Sequence, residues 1–235
     1  MILIGLDDTD TLDTPGTNQL ARRVAASLPA GFRTTVILRH QLLFDPRIPY
    51  TSQNSSASLA LEAEPGADRG QLVDTLGRVI RGWYVPGSDP GLCVAERVPA
   101  EVRAFGLRCQ REPVRQEEAR ALARSAGIHL EGFGGTEDGV IGALAAVGLL
   151  AAGDDGRVVH RPGWEWPDGF SGRQEVAAVR ERGVDAVLVA ESGRAVEAGV
   201  VDVGKHLRPS YRSGRVVLFV EPAEEPGAWR ALKLP

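Results

Sequence analysis

The sequence is poor in cysteine and in lysine, and both shortages exclude classes of function. Its 235 residues include two cysteines, Cys93 and Cys109, which are too few for a disulfide framework or a four-cysteine zinc site. We therefore expect two reduced, partly buried thiols. Lys205 and Lys233 are the only lysines among the 27 basic residues. This inventory nearly excludes a catalytic lysine and leaves phosphate contacts to arginine.

Long apolar runs and an excess of positive charge are also missing. The longest apolar run, residues 140–152, is too short to cross a bilayer, and the N-terminal segment lacks the basic region of a signal peptide. We expect a cytoplasmic protein with no membrane partner. The net charge of −4 argues against a partner held by a basic surface, as nucleic acid usually is.

The periodicity of apolar residues predicts an α/β or α+β protein. The clearest segments are strands at residues 1–6, 32–38 and 56–63 and helices at residues 18–28, 71–84 and 113–126. An apolar helix follows residue 139, and from about Ala152 the pattern changes to short strands separated by turns. The sequence therefore predicts a main domain with a mixed sheet at residues 1–152 and a smaller β-rich portion at residues 153–235.

An acidic loop follows the first predicted strand and contains Asp7, Asp8, Asp10 and Asp13. Carboxylates this close repel each other, so the cluster calls for a counterion. Mg²⁺ takes oxygen ligands and usually binds one or two carboxylates together with substrate phosphates. The cluster therefore predicts a magnesium site. The alternative is an acidic, solvated turn, in which aspartate is common.

The same loop is rich in hydroxyl groups just before the first predicted helix. These groups belong to Thr9, Thr11, Thr14 and Thr17, and Gly16 lies beside them. Hydroxyl groups beside a helix N-terminus can bind phosphate or accept a phosphoryl group. The alternative is that they cap the helix, with Thr17 or Asn18 as the N-cap residue.

A second glycine-rich segment, residues 132–139, leads into the apolar helix. It lacks the lysine of a P-loop and is not a dinucleotide-binding fingerprint. Gly135 and Gly139 would let backbone amides approach a ligand at the positive end of the helix dipole. The alternative is a flexible connection into a packed helix. Glu137 and Asp138 would repel phosphate unless a metal ion lay between them.

Five sequence blocks occur in an order that is characteristic of one family. They are Gly5-Leu6-Asp7-Asp8-Thr9-Asp10, Gly16-Thr17, Asp45-Pro46-Arg47-Ile48-Pro49-Tyr50-Thr51, Asp89-Pro90-Gly91 and Gly139-Val140-Ile141-Gly142-Ala143-Leu144-Ala145-Ala146. This order resembles the kinase domain of archaeal tRNA-isoleucine agmatinylcytidine synthetase, over about residues 1–150. Enzymes of that family activate an anticodon cytidine with ATP and join agmatine to it.

The resemblance implies an enzyme that uses ATP and Mg²⁺. It implies that Asp7, Asp8 and Asp10 hold the metal ion and the nucleotide phosphates. It also implies that Thr17 takes the place of a threonine that becomes phosphorylated in the family.

Further residues complete the predicted site. We expect Asp8, Asp10, Thr17 and Arg47 to carry the chemistry, with Arg47 and Arg39 as candidates for neutralising phosphate charge. The remaining predicted nucleotide contacts are Asp7, Thr9, Thr11, Gly16, Gly135 and Gly139.

The acceptor predicted from the sequence is a small molecule. The family carries tRNA-binding domains after its kinase domain, including a zinc ribbon, whereas the residues after Ala152 contain no cysteine. The main hypothesis is therefore a kinase, or a ligase with a phosphorylated intermediate, that acts on a small molecule, with tRNA disfavoured. One alternative is a minimal tRNA-modifying enzyme of the family's type that needs a partner. Another is a nucleotide-binding regulatory module without activity.

Overall fold

Two units follow each other along the chain, Met1–Ala152 and Gly153–Pro235. The structure is a computed structural model that describes residues 1–9, 11, 14–48, 53–164 and 169–234. Each unit is described separately below.

A five-stranded antiparallel sheet forms the framework of the first unit. Its described elements are β1 (Ile2–Asp7), α1 (Thr17–Ala26), β2 (Phe32–Gln41), β3 (Ser55–Ala63), α2 (Arg69–Trp83), β4 (Gly91–Ala95), α3 (Ala100–Cys109), α4 (Gln116–Ala126), β5 (His129–Gly132) and α5 (Gly139–Ala152). The strand order is β5-β4-β1-β3-β2. The central position goes to β1 because its unbroken apolar sequence can be buried on both faces of the sheet.

Helices cover both faces of this sheet. Successive side chains of β1 point to opposite faces, so Gly5 and Asp7 lie on one face and Ile4 and Leu6 on the other. The face of Gly5 packs against α5, which in turn contacts α3 and α4. On the second face α1 contacts β2, β3 and α2. Ile4 and Leu6 are completely buried as a result.

The helix α5 is apolar on all sides and contains no charged residue. Eleven of its 14 residues are buried, which is the pattern of a core helix and not of an amphipathic one. It approaches the sheet closely because glycines line the contact. A Cβ atom on Gly5 would overlap the carbonyl oxygen of Ala143, and one on Gly91 would overlap the backbone of Gly139. In the described part of the chain, no helix combines the length and apolar character needed to cross a membrane.

The second unit consists mainly of short strands. Its described elements are β6 (Arg157–His160), β7 (Arg173–Glu175), α6 (Val176–Glu181), β8 (Ala186–Val189), β9 (Val200–Asp202), β10 (Ser210–Arg212), β11 (Arg215–Pro222) and β12 (Ala228–Ala231). In this unit β11 pairs with β10 and β12 in antiparallel fashion and with β8 in parallel. Exposed arginines pair with glutamates, as in Arg173–Glu225 and Arg180–Glu197, and such surface pairs contribute little stability.

The predicted fold class, α/β or α+β, is confirmed, and the structure contains both antiparallel and parallel strand pairs. The parallel pairs, β8–β11 and β9–β12, lie in the second unit, whereas the described pairs of the first unit are antiparallel. Further details differ from the sequence-based expectation. The helix α3 was not predicted, because Gly106 and Cys109 occupy two of its four buried positions and weaken its apolar stripe. The N-cap of α1 is Gly16, so Thr17 is the first helical residue and neither Thr17 nor Asn18 caps the helix.

We predict that Gly5→Ala lowers the free energy of unfolding by about 1–3 kcal/mol or more, because the added methyl group overpacks the contact between β1 and α5. Gly82→Ala is the matched control. Gly82 lies in α2 with open space around its Cα, so the change should raise stability by up to about 1 kcal/mol. Urea denaturation of both variants measures the difference. Equal stability of the two variants would show that the close approach is not a constraint.

Both cysteines are buried free thiols, and burial controls their chemistry. It raises the pKa of Cys109 to about 12 and also raises the pKa of Cys93. We predict that neither thiol reacts with iodoacetamide at about pH 8 in the folded protein, whereas both react after unfolding. The folded state retains these protons above the ordinary thiol pKa, so this contribution to stability should decline as pH rises past about 8.5. Rapid alkylation of the folded protein, detected by mass spectrometry, would contradict the prediction.

Candidate functional site

A cleft of about 610 Å³ opens in the first unit where β1 ends. Five chain segments and the start of α1 line it. These segments are the end of β1, the connection from β2 to β3, the turn before β4, the connection from α3 to α4, and the N-terminus of α5. The size is in the range of small-molecule sites, roughly 300–1,000 Å³.

The acidic loop enters this cleft through Asp7 and Asp8. Asp7 is the last residue of β1, and its carboxylate lies against Gly142 so closely that a Cβ atom there would overlap it. Asp8 follows in the left-handed region, with φ of 49°. Such a backbone conformation is uncommon for residues other than glycine, although aspartate tolerates it better than most. The chain thus turns sharply after the strand and leaves both aspartates in the cleft lining.

Thr17 lines the cleft from the start of α1. It is buried, and its Oγ1 accepts a hydrogen bond of 3.1 Å from Oγ1 of Thr9, which is also buried. Thr9 is not part of the cleft lining. The threonine-rich sequence therefore separates into Thr17, which faces the cleft, and Thr9, which supports it.

Arg47 lines the cleft but already has a carboxylate partner. Its Nε and Nη2 donate to the two carboxylate oxygens of Asp45, each at 2.8 Å, and its backbone N–H donates to Oδ1 at 2.9 Å. These contacts hold the pKa of Asp45 at about 2. The pair therefore remains ionised at neutral pH and is lost only as the pH falls through about 2. A phosphate that binds Arg47 has to share it with Asp45.

Arg115 is the second arginine in the lining, and the sequence analysis did not identify it. It precedes α4, where Glu112 and Glu117 also line the cleft. Glu112 pairs with Arg108 on the helix before it. Among the described residues, the guanidinium of Arg115 has no ion-pair partner. Arg115 can therefore bind an anion without breaking an ion pair, whereas Arg47 is already paired with Asp45.

The turn before β4 and the glycine-rich segment meet at one side of the cleft. The carboxylate of Asp89 accepts hydrogen bonds from the N–H and Oγ1 of Thr136, at 2.8 and 2.7 Å. A Cβ atom on Gly135 would overlap Oδ1 of Asp89. Gly135 therefore permits this contact and is not in the cleft lining, whereas Gly139 lines the cleft at the start of α5.

Five predicted site residues meet in the cleft lining: Asp7, Asp8, Thr17, Arg47 and Gly139. Four others lie beside it: Thr9, Thr11, Gly16 and Gly135. Arg39 is also outside the lining and donates to the side chain of Gln41. Asp10 lies outside the described residues, as do Asp13 and residues 49–52.

Four acidic residues in the lining, Asp89, Glu112, Glu117 and Asp138, were not among the predicted site residues. The sequence carried a signal for Asp89 and Asp138. Asp89 belongs to one of the five motif blocks, but that block was given no site residue. Asp138 was noted as an obstacle to phosphate binding, and its position in the cleft makes it part of the acidic lining.

The donor chemistry of the cleft suits a hard divalent cation. Asp7 and Asp8 supply carboxylate oxygens at one place, and oxygen ligands are what Mg²⁺ takes. Within residues 1–9, 11, 14–48, 53–164 and 169–234, no group of three or more His, Cys, Asp or Glu side chains is arranged to hold a metal ion. The predicted ligand set includes Asp10, which falls between these ranges, so that set stays a prediction.

Comparison with known proteins identifies relatives of this chain. No family model matches it. The tRNA(Ile2) 2-agmatinylcytidine synthetase TiaS of Pyrococcus horikoshii is 31% identical over 153 residues, covering 63% of this chain and 35% of TiaS. The chain thus spans about a third of the length of this curated relative.

Solved structures agree with that similarity. The structure described as a tRNA fluorescent labeling enzyme has a TM-score of 0.55 at 25% identity and covers 63% of this chain and 35% of its own. The TiaS–tRNA(Ile2)–ATP complex has a TM-score of 0.56 at 22% identity and covers 77% of this chain and 43% of its own. At that identity the second likeness shows a shared fold.

These relatives contradict one expectation, that of a small-molecule acceptor with tRNA disfavoured. TiaS is a tRNA(Ile2) 2-agmatinylcytidine synthetase, and two of its solved complexes contain tRNA(Ile2). The expectation failed because it used the net charge of the whole chain and the lack of a zinc ribbon as arguments against RNA. The net charge of the chain and the lack of a zinc ribbon give no information about which residues line the cleft. The resemblance indicated by the five motif blocks is confirmed: this chain carries a region similar to part of TiaS.

Proposed function

We propose that the first unit is the ATP-binding catalytic unit of an RNA-modifying enzyme of the agmatinylcytidine synthetase type. One observation carries the proposal: Asp7, Asp8 and Thr17 line the same cleft as the N-terminus of α5. The arrangement joins metal-binding carboxylates, a hydroxyl group and a helix N-terminus in one place. The chain is 31% identical to TiaS of Pyrococcus horikoshii over 153 residues, and a TiaS structure with the same fold contains tRNA(Ile2) and ATP, which supports both substrates.

ATP would bind with its phosphates between the end of β1 and the start of α5. The N-terminus of α5 carries a partial positive charge, which favours an anion, and this field acts even though the N–H groups of Val140 and Ile141 donate to the carbonyl oxygens of Glu137 and Asp138. The backbone of Asp89 lies against Gly139 and the Asp7 carboxylate lies against Gly142, so these two glycines bring the acidic side of the cleft close to the start of the helix. Asp7 and Asp8 would hold Mg²⁺, and Mg²⁺ would neutralise phosphate charge and polarise the group that is transferred.

The cleft lining needs such a cation. Asp7, Asp8, Asp89, Asp138, Glu112 and Glu117 contribute six carboxylates, against the guanidinium groups of Arg47 and Arg115. A polyphosphate would be repelled from this lining unless a metal ion balanced the charge. Magnesium-bound ATP therefore fits the cleft better than free ATP does.

Thr17 would accept the phosphoryl group or position it for transfer to RNA. Thr17 lines the cleft, and its hydrogen bond with Thr9 fixes the direction of Oγ1. A fixed nucleophile near a bound phosphate gains rate from orientation, which is the main protein contribution in phosphoryl transfer. An amine such as agmatine, which occurs in one TiaS complex, would then displace the phosphate from the activated RNA.

We predict that Thr17→Ala abolishes phosphoryl transfer while ATP binding is retained. Incubation with γ-labelled ATP, Mg²⁺ and tRNA should place label on RNA or on the peptide that contains Thr17 in the unchanged protein and in Thr17→Ser. Thr17→Ala should show no label, because the hydroxyl group is gone. It should also lose about 1–3 kcal/mol of stability, since the buried Thr9 donor loses its acceptor.

Thr75→Ala is the control for that experiment. Thr75 is similarly buried but lies in α2, which contributes nothing to the cleft lining. It should lose stability without losing label. Full labelling in Thr17→Ala would remove the catalytic role of Thr17, and no labelling in the unchanged protein would remove the proposed function.

We predict further that Arg115 contributes more to ATP affinity than Arg47. Arg115→Ala should weaken binding of magnesium-bound ATP about tenfold or more, because a charge-assisted hydrogen bond is worth about 1.5–3 kcal/mol. Arg47→Ala should have a smaller effect, because Asp45 already occupies that side chain. Isothermal titration calorimetry measures both.

Arg78→Ala serves as the control, since Arg78 is exposed on α2 and away from the cleft lining. Its affinity for magnesium-bound ATP should match that of the unchanged protein. A larger loss in Arg47→Ala than in Arg115→Ala would reverse the assignment and return Arg47 to the phosphate-binding role predicted from sequence.

A further inference from the structure

We propose that Asp89 is a positioning residue. Together with Thr136 it forms a latch, defined as the paired contacts of the Asp89 carboxylate with the Thr136 N–H and hydroxyl. The latch holds the glycine-rich segment at residues 132–139 against the acidic loop, so that both sides of the nucleotide site have a fixed spacing. The inference rests on the proposed function, because it concerns the same cleft.

The latch connects segments that are far apart in sequence. Asp89 and Thr136 are separated by 47 residues, yet both carboxylate oxygens of Asp89 are engaged. The backbone N–H of Asp89 donates to the carbonyl oxygen of Asp8 at 3.1 Å. One residue thus contacts the acidic loop through its backbone and the glycine-rich segment through its side chain. A change in either contact alters the distance between the two walls of the cleft.

The glycine-rich segment is shaped to receive this carboxylate. Gly135 has φ of 60°, and a side chain there would occupy the position of Asp89 Oδ1. Glu137, two residues later, has φ of 62° and pairs with Arg120 of α4. The side chain of Gln116 donates to the carbonyl oxygen of Thr136 at 2.7 Å. Contacts from three directions therefore converge on this segment just before α5 begins.

Asp89 could act as part of the latch or as a direct ligand of the metal ion, and the two roles depend on different chemical groups. A carboxylate that coordinates a metal ion acts through its negative charge, and its effect does not depend on the Thr136 hydroxyl. A latch depends on the hydroxyl and needs only an acceptor at position 89. The two roles therefore predict opposite rankings for substitutions at positions 89 and 136.

Three variants in the full chain separate these roles. Thr136→Val removes the hydroxyl group but keeps the backbone N–H and the shape of the side chain. Thr136→Ser keeps the hydroxyl group. Asp89→Asn removes the charge but leaves an oxygen acceptor for the Thr136 N–H. Thr35→Val is the control, because it removes a hydroxyl that donates to Ala60 on the sheet and does not line the cleft.

The first measurement is amide hydrogen exchange of the peptide covering residues 132–138, without nucleotide. Thr136→Val should speed its exchange at least about tenfold, because the loop opens more often once one of its two bonds to Asp89 is lost. Thr136→Ser and Thr35→Val should match the unchanged protein. Unchanged exchange in Thr136→Val would show that no latch holds the segment, whatever the function of the cleft.

The second measurement is the affinity for magnesium-bound ATP. The latch predicts that Thr136→Val weakens binding about tenfold, that Asp89→Asn weakens it no more than this, and that Thr136→Ser restores it. Near-normal affinity in Thr136→Val with severe loss in Asp89→Asn would overturn the latch and make Asp89 a ligand. If the unchanged protein binds no ATP while the exchange result holds, the proposed function fails and the structural latch stands.

Discussion

The contact between α5 and the sheet is the constraint on which the rest of the first unit depends. Gly5 on β1 and Gly91 on β4 allow the backbone of the helix to touch the backbone of both strands. Interiors pack at the density of organic crystals, so a single methyl group in this contact has no space. The same close approach places the first residues of α5 beside Asp7. A tightly packed core and an acidic cleft are therefore produced by one contact.

The charge of the cleft follows from what this contact brings together. The end of β1 contributes Asp7 and Asp8, and the turn before β4 and the segments at the starts of α5 and α4 add further carboxylates. Six acidic side chains near one another are unfavourable in the absence of a counterion. Asp89 relieves part of this repulsion by binding Thr136, and Glu112 does so by pairing with Arg108. Local partners thus stabilise a site whose overall charge favours a cation.

Local sequence patterns were sufficient to predict many elements. The unbroken apolar run of β1 and the alternation in β3 are properties of individual strands, so a short window of sequence contains the information. The same holds for the acidic loop, because its aspartates are neighbours in the chain. The helix α3 was missed for a local reason too, since Gly106 occupies a buried position where an apolar side chain was expected.

Contacts between residues that are distant in the chain could not be predicted from the sequence. The order of strands places β1 between β3 and β4, and no pattern within β1 specifies those partners. The contact between Asp89 and Thr136 joins a turn to a glycine-rich segment, and each half has an ordinary local explanation. Arg115 illustrates the same limit, because an arginine before a helix becomes a cleft residue only through the packing of α4. The motif blocks indicated the relationship to TiaS, but net charge was a poor guide to the substrate.

The burial of α5 on every side also determines which parts of the site can move. A helix with one polar face can rotate or slide while its core contacts adjust, but α5 has no such face. Any rotation would bring a side chain larger than glycine against β1 or β4. The helix is therefore the stationary part of the cleft, and adjustment to a bound molecule falls to the connections around its first turn. The cleft would open and close through movement of the hydrogen-bonded loops around it, while the N-terminus of α5 keeps its position.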